Sequence, residues 1–283
     1  MEAAREITVL DNDPNCAEWL RSSSHLHVLH RPDVRAVARS SRIFVLSLAT
    51  KLNDVAGFIR EANRLNHLRG LLVHADVEES WVNLLITNAD LRTLRNLLVH
   101  RASGTPKRIL NAWSVGAEHD LIAEATVTDG RLLICSCAFD MVNVPFDSIP
   151  ALARLHKTKR AHFEVASDGS YINWPDANVH LDLEAFRVAV DPTVRDKARA
   201  ERLRHDRRFG AAVAAVREEK DLSQTDVDGV SARQIRRIEA GEFFPRMATL
   251  ECLARAHNLR FKEYLDTLAA KMEPAGKGVG QTP

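Results

Sequence analysis

Val230-Ser231-Ala232-Arg233-Gln234-Ile235-Arg236-Arg237-Ile238-Glu239-Ala240-Gly241 decides how this 283-residue chain is read. Ser231 carries a short hydroxyl at the place where a helix needs its first free amide groups accepted, so it is an N-cap. Ile235 and Ile238 then face inward. Arg233, Gln234, Arg236 and Arg237 take the remaining surface. Gly241 is placed to close the helix with positive φ, and Pro245 stops any continuation. Upstream, Phe209, Val213 and Val216 recur at i, i+4 and i+7 on a helix that Asp221 and Leu222 leave. Ser223 reads as the N-cap of a further short helix, and Gly229 as its turn. Downstream, Leu250, Leu253 and Ala254 mark a helix from Met247 to His257. Phe261, Tyr264, Leu265 and Leu268 mark a last one.

Short helices with a tight turn in front of a basic one suggest a helix-turn-helix. The stretch Phe209 to Leu265, about a fifth of the chain, resembles the λ-repressor-like (Xre-type) DNA-binding family. The resemblance implies double-stranded DNA as partner and a homodimer on paired half-sites. It implies that the helix opening at Ser231 and Ala232 enters the major groove. Arg233 would pair bidentately with guanine, while Gln234, Arg236 and Arg237 would bind phosphate or a second base. Ser223 and Gln224, opening the preceding helix, would hold the DNA backbone, and Arg217 and Glu239 would form a buried structural ion pair. The chain departs from the family between Gln224 and Ser231. Six residues stand there, about one helical turn fewer than usual, so the second helix is expected to be short. Asp226 and Asp228 within them would repel phosphate.

Composition sets the outer limits. The length suggests two or three domains. A formal net charge of +1 leaves DNA affinity to a local basic patch. Four cysteines without a small-domain framework suggest a reducing compartment. No apolar run approaches a membrane span, and the N-terminus lacks a signal-peptide core. The expectation is a soluble cytoplasmic protein without membrane contact.

Residues 1–103 alternate strand and helix patterns, which argues for a parallel sheet with helices outside. Strands are expected at Ile7–Leu10, His27–Leu29, Ile43–Leu48, Leu71–His74 and Leu84–Thr87. Helices are expected from Cys16, at Val55–Leu65, and at Leu91–His100. With Val9-Leu10-Asp11-Asn12-Asp13-Pro14 after the first strand, this order resembles a response-regulator receiver domain. The resemblance implies a degenerate one. Asp11 and Asp13 fit the acidic pair, but Ser47 stands at the phosphoacceptor position and no lysine is evident near the end of the fifth strand. An unrelated small α/β domain with an Asx-Pro turn reads equally well. His25, His27 and His30 lack a nearby carboxylate or thiol, so a solvated edge strand outweighs a metal site.

Ser103-Gly104-Thr105-Pro106 reads as a linker. Beyond it, hairpins are expected at Leu121–Ala138, turning at Asp129-Gly130, and at Phe163–Trp174, turning at Asp168-Gly169. A short helix is expected at Leu181–Phe186. Phe163 to Pro175, with Asp182 and Leu183 behind it, resembles the domain of unknown function 2442 (DUF2442) family. That family also occurs directly before λ-repressor-like modules, and it carries over no catalytic residue. Cys135 and Cys137 read as buried small residues before metal ligands. Trp174-Pro175 reads as a packing corner. Residues 194–208 form a charged helix in which Arg195, Lys197, Arg199, Arg202, Arg204, Arg207 and Arg208 outnumber three acids. It is either a face tracking phosphate or a solvated linker. The tail from 272 to 283 is rich in Pro and Gly and expected to be disordered.

The expected architecture is multidomain. A receiver-like α/β domain spans 1–103, a small α+β domain with hairpins 106–192, a connector helix 194–208, and an all-α helix-turn-helix 209–271. The expected function is a sequence-specific DNA-binding transcriptional regulator acting as a dimer, with the earlier domains dimerising or sensing. The alternative is an antitoxin-like protein that binds a toxin and represses its own operon; a signalling protein is another partner of that kind. No P-loop, dinucleotide turn, nucleophile elbow or zinc-protease helix is present, so neither an enzyme nor a cofactor is expected.

Overall fold

The computed structural model describes residues 6–75, 79–92, 94–102 and 104–272. The chain forms two compact units, Met1–Asp191 and Pro192–Pro283.

In the first unit β1 (Ile7–Asn12), β2 (Leu26–Leu29), β3 (Ile43–Leu48), β4 (Leu68–His74) and β5 (Leu97–His100) make one parallel sheet, ordered β2-β1-β3-β4-β5. That is the order of a doubly wound open sheet. The apolar runs of β1, β3 and β4 are buried along their length, as strands covered on both faces require. The connecting helices are α1 (Ala17–Arg21), α2 (Val34–Val37), α3 (Leu52–Arg64), α4 (Glu79–Asn88) and α5 (Gly104–Val115). On one face Val55, Phe58 and Ile59 of α3 and Val82 and Ile86 of α4 pack on Val45, Leu71 and Val73. On the other, Cys16, Leu20 and the α5 residues Ile109 and Leu110 cover Val9, Phe44 and Leu72.

Two expectations are corrected here. Leu84–Thr87 is not the fifth strand but part of α4, whose Val82 and Ile86, with Ala89 just after it, are buried at helical spacing. The fifth strand lies at Leu97–His100, inside the stretch expected as a helix. There the free edge of β4 supplies hydrogen bonds that outweigh the i, i+3 spacing of Leu91 and Leu94. Gly104, Thr105 and Pro106, expected in a linker, form the first turn of α5, where proline's missing amide costs nothing. Ser103 lies outside the described residues.

The hairpin of β6 (Ile122–Thr128) and β7 (Arg131–Ser136) turns at Asp129 and Gly130, both with positive φ as a two-residue loop demands. β8 (Met141–Pro145) extends it to three antiparallel strands. After α6 (Pro150–Ala153), strands β9 (Glu164–Val165), β10 (Ile172–Trp174) and β11 (Val179–Leu181) form a second small sheet, followed by α7 (Leu183–Val190). Neither β8 nor β11 carries a hairpin signal in the sequence, and α7 starts two residues later than expected. Trp174 and Phe186 anchor the core of this part. The other face of the first hairpin, through Ala123 and Cys137, joins the α5 side of the large sheet. Trp113 of α5 donates its indole N–H to the Cys137 carbonyl at 2.8 Å. Cys135 and Cys137 are both buried, and burial pushes each thiol up to about 12.

The second unit is all helix: α8 (Pro192–Glu219), α9 (Ala232–Glu239), α10 (Met247–Ala256) and α11 (Phe261–Met272). The expected connector and first helix are one continuous rod, about 42 Å long at 1.5 Å per residue. Its buried residues begin only at Phe209. Residues 273–283 of the expected tail lie outside the described residues. The helix expected at Ser223 does not form; residues 221–231 run as turns and bends. Asp226 accepts the Ser223 amide at 2.7 Å, and Ser223 accepts the Thr225 amide at 3.3 Å. These local bonds compete with helix formation, and the six residues from Thr225 to Val230, Gly229 among them, are too few to repay nucleation. Val227 and Val230 pin the segment into the core instead. Among the described residues no helix is long and apolar enough to cross a membrane.

α8 crosses α9 backbone to backbone. A Cβ on Gly210 would stand 2.4 Å from the Ile238 carbonyl oxygen, and one on Gly241 would stand 2.5 Å from the Arg207 Cα. Gly210→Ala is therefore expected to cost about 1–3 kcal/mol in urea unfolding, as overpacking does. Gly57→Ala on α3, where nothing lies within 4 Å, should be neutral or mildly stabilising.

Candidate functional site

α9 is built as its sequence dictates. Ser231 accepts the Gln234 amide at 3.3 Å, and Ile235 and Ile238 are fully buried. At the far end the Gly241 amide bonds the Ile238 carbonyl at 2.9 Å and the Glu242 amide bonds the Arg237 carbonyl at 3.0 Å, a Schellman closure. The opposite face presents Arg233, Arg236 and Arg237, all exposed. Arg237 pairs with Glu242 at 2.5 Å and lies 5.2 Å above the Phe243 ring. Arg233 and Arg236 have no ion-pair or hydrogen-bond partner among the described residues. Ala232 and Gln234 are half-buried, so they face partly into the unit. Beside this arc Phe244 and Met247 are exposed.

Glu239 ties the arc to the rest of the unit. Arg217 on α8 donates Nε to Oε1 at 2.6 Å and Nη2 to Oε2 at 3.2 Å. Arg217 Nη1 also donates to the Leu222 carbonyl at 2.7 Å, which fixes the start of the turn segment. The Glu239 hydrogen bonds hold the Arg217 guanidinium above its ordinary pKa. Gln224, expected on the DNA backbone, instead donates Nε2 to Glu239 Oε2 at 2.7 Å. Its amide is spent inside the protein because no second helix carries it outward. Ser223 likewise is no helix cap: its hydroxyl meets that of Thr225 at 2.7 Å. Sequence reasoning missed a second buried polar group nearby. His257 and the Tyr264 hydroxyl are buried with no partner among the described residues. Their rings lie 5.2 Å apart. Burial first, and Arg217 second, lowers the His257 pKa.

The carboxyl edge of the large sheet is the other place where polar side chains meet. Asp13 is buried, and its Oδ2 lies 3.2 Å from His74 Nδ1, which also lies 3.1 Å from the Asn15 side-chain amide nitrogen. His74, ending β4, stacks on His100, ending β5, at 5.3 Å. Ser47 of β3 is fully buried and takes a hydrogen bond from Asn12. Asp11 lies 3.9 Å from His30, and burial raises its carboxyl above the ordinary range. His25, His27 and His30 are exposed on and beside the edge strand β2. His100 and Arg101, not a lysine, stand at the end of the observed fifth strand.

Compared with protein-family models, with curated proteins and with solved structures, the chain finds no match in any of the three.

Removing one partner of the Arg217–Glu239 pair strands a charge at side-chain exposures of 12% and 9%. Glu239→Ala is expected to cost about 3–5 kcal/mol in chemical unfolding. The double replacement Arg217→Met with Glu239→Leu should cost clearly less, since neither charge is then left alone. A pH dependence follows from His100, whose pKa burial, followed by His74, lowers to about 4. The unfolded chain, titrating near 6.5, binds the proton more readily. Stability is thus fully present above about pH 6.5 and is lost as pH falls toward 4, by about 2–3 kcal/mol for this group. Thermal melts of His100→Gln should show a flatter slope over that window.

Proposed function

We propose that the protein is a sequence-specific DNA-binding regulator whose second unit is a shortened λ-repressor-like helix-turn-helix. The observation that carries this reading is α9 itself. One side is locked by Ile235, Ile238 and Glu239, and the other offers Arg233 and Arg236 to solvent with no internal partner. A rigid helix with free guanidinium groups is what base edges and phosphates need. Arg233, two residues into the helix, is the base reader. Arg236 and Arg237 bind phosphate, Arg237 exchanging its exposed Glu242 partner for the stronger charge of DNA. Ser231 acts as cap, while Ser223 and Gln224 leave the contact set. The exposed basic half of α8 adds electrostatic attraction.

In the same reading the unit 1–191 is a sensing or dimerising part. Its sheet is receiver-like without phosphoacceptor chemistry, because the buried Ser47 hydroxyl cannot form the acyl phosphate that a carboxylate forms. Its hairpin part is of the DUF2442 kind. A homodimer reads a paired site, since one eight-residue helix covers too few bases for specificity.

Selection from a random DNA pool is expected to yield a palindromic consensus. Absence of any enriched sequence would defeat the reading, and co-purification of a small toxin would favour the antitoxin alternative. On the selected operator Arg233→Ala should lose about ten- to a hundredfold in preference over random DNA. Arg236→Ala should weaken both DNAs alike and lower the salt slope by about one.

A further inference from the structure

Arg108 on α5 is half-buried in the first unit and has no ion-pair partner among the described residues. It spends Nε and Nη2 on the Ala123 carbonyl, at 3.0 and 2.7 Å, and Nη2 also reaches the Thr105 hydroxyl at 3.2 Å. Its Nη1 donates to nothing among those residues. It lies 3.4 Å from the point where Gly104 would carry a Cβ. Glu124, on β6, is near enough to act on this guanidinium but forms no ion pair with it. Burial raises the Glu124 carboxyl and lowers the Arg108 pKa. A guanidinium taken partly out of water without a carboxylate on its free edge is an uncompensated cost.

Arg108 lines a cleft of about 740 Å³, within the range of small-molecule sites. Val82 of α4, Val99 of β5, and Phe163 and Val165 at β9 give it an apolar wall. Arg101, exposed just after β5, also lines it, together with Glu124 and the exposed Glu164. We propose that this cleft binds a small organic acid, its carboxylate on Arg108 Nη1 and Arg101 and its apolar body along Val82, Val99, Phe163 and Val165. The site lies wholly within residues 1–191 and does not depend on the DNA reading. The ligand class follows from the pairing of a carboxylate-sized donor group with an apolar wall. Inorganic phosphate satisfies only the first, and a neutral alcohol only the second.

Isothermal titration of the full-length protein with 4-phenylbutyrate tests this. Saturable binding is expected with a dissociation constant of about a millimolar or tighter, the range for a ligand of about a dozen heavy atoms. 4-Phenylbutanol and inorganic phosphate should bind at least about fivefold more weakly, because each meets half of the site. Arg101→Ala removes only an exposed side chain and should weaken 4-phenylbutyrate about fivefold. Thr126→Trp, at an exposed position lining the cleft, should block it. No saturable binding up to about 10 mM, equal binding of the alcohol, or unchanged binding in both variants would overturn the proposal.

Discussion

The Glu239 carboxylate is where the C-terminal unit is joined. Three side-chain hydrogen bonds converge on it, two from Arg217 of α8 and one from Gln224 of the turn segment. Arg217 in turn holds the Leu222 carbonyl. Rod, turn segment and exposed helix are thus fixed through one pair of oxygens. The Gly210 and Gly241 contacts let the backbones approach closely enough for those distances to be met. A charged pair this enclosed adds little net stability over an apolar replacement. What it sets is geometry, because a carboxylate with all its partners in place tolerates only one arrangement of the three segments.

That geometry explains which parts of the unit were legible in the sequence. Ser231, Ile235, Ile238 and Gly241 lie within one local stretch, and each acts through bonds to near neighbours, so their spacing was enough. The Arg217–Glu239 pair came from a family resemblance, and both residues meet. Gln224 and Ser223 were misplaced because their roles depended on a helix that six residues could not nucleate. The competing bonds from Asp226 and Ser223 are the physical reason. The large sheet shows the same division. Ile7–Leu10 and Ile43–Leu48 are apolar on both faces and read as strands at once. Leu84–Thr87 and Leu97–His100 are short apolar runs that periodicity alone cannot tell apart, and only the second pairs with the edge of β4.

The lack of a helix between 221 and 231 bears on what the exposed arc can do in the proposed reading. In a full helix-turn-helix, two helices share the backbone contacts. Here Asp226 and Asp228 occupy the shortened segment, with Asp221 just before it, and their charge would repel phosphate on that side. Positive charge lies instead on α9 and along the front of α8, where seven basic residues face three acids between 194 and 208. Any DNA on this unit must approach from those faces, and its affinity must fall steeply with salt. On the proposed reading this asymmetry would also orient a duplex, drawing phosphates to one flank of α9 and pushing them from the other.

Comparing two half-buried arginines, Arg217 and Arg108, sharpens the meaning of each. Arg217 has a carboxylate at 2.6 Å, a carbonyl at 2.7 Å and a raised pKa. Its donors are matched, and it is a structural residue. Arg108 is also half-buried, yet its pKa is lowered by burial and one nitrogen has no partner among the described residues. Glu124 sits close enough to feel the charge without closing the pair. A fold that needed Arg108 only for support could have brought that carboxylate into contact, as it does at Glu239. The unspent donor and the partly apolar cleft beside it form a single feature, and an anion arriving from outside supplies the partner that the chain withholds.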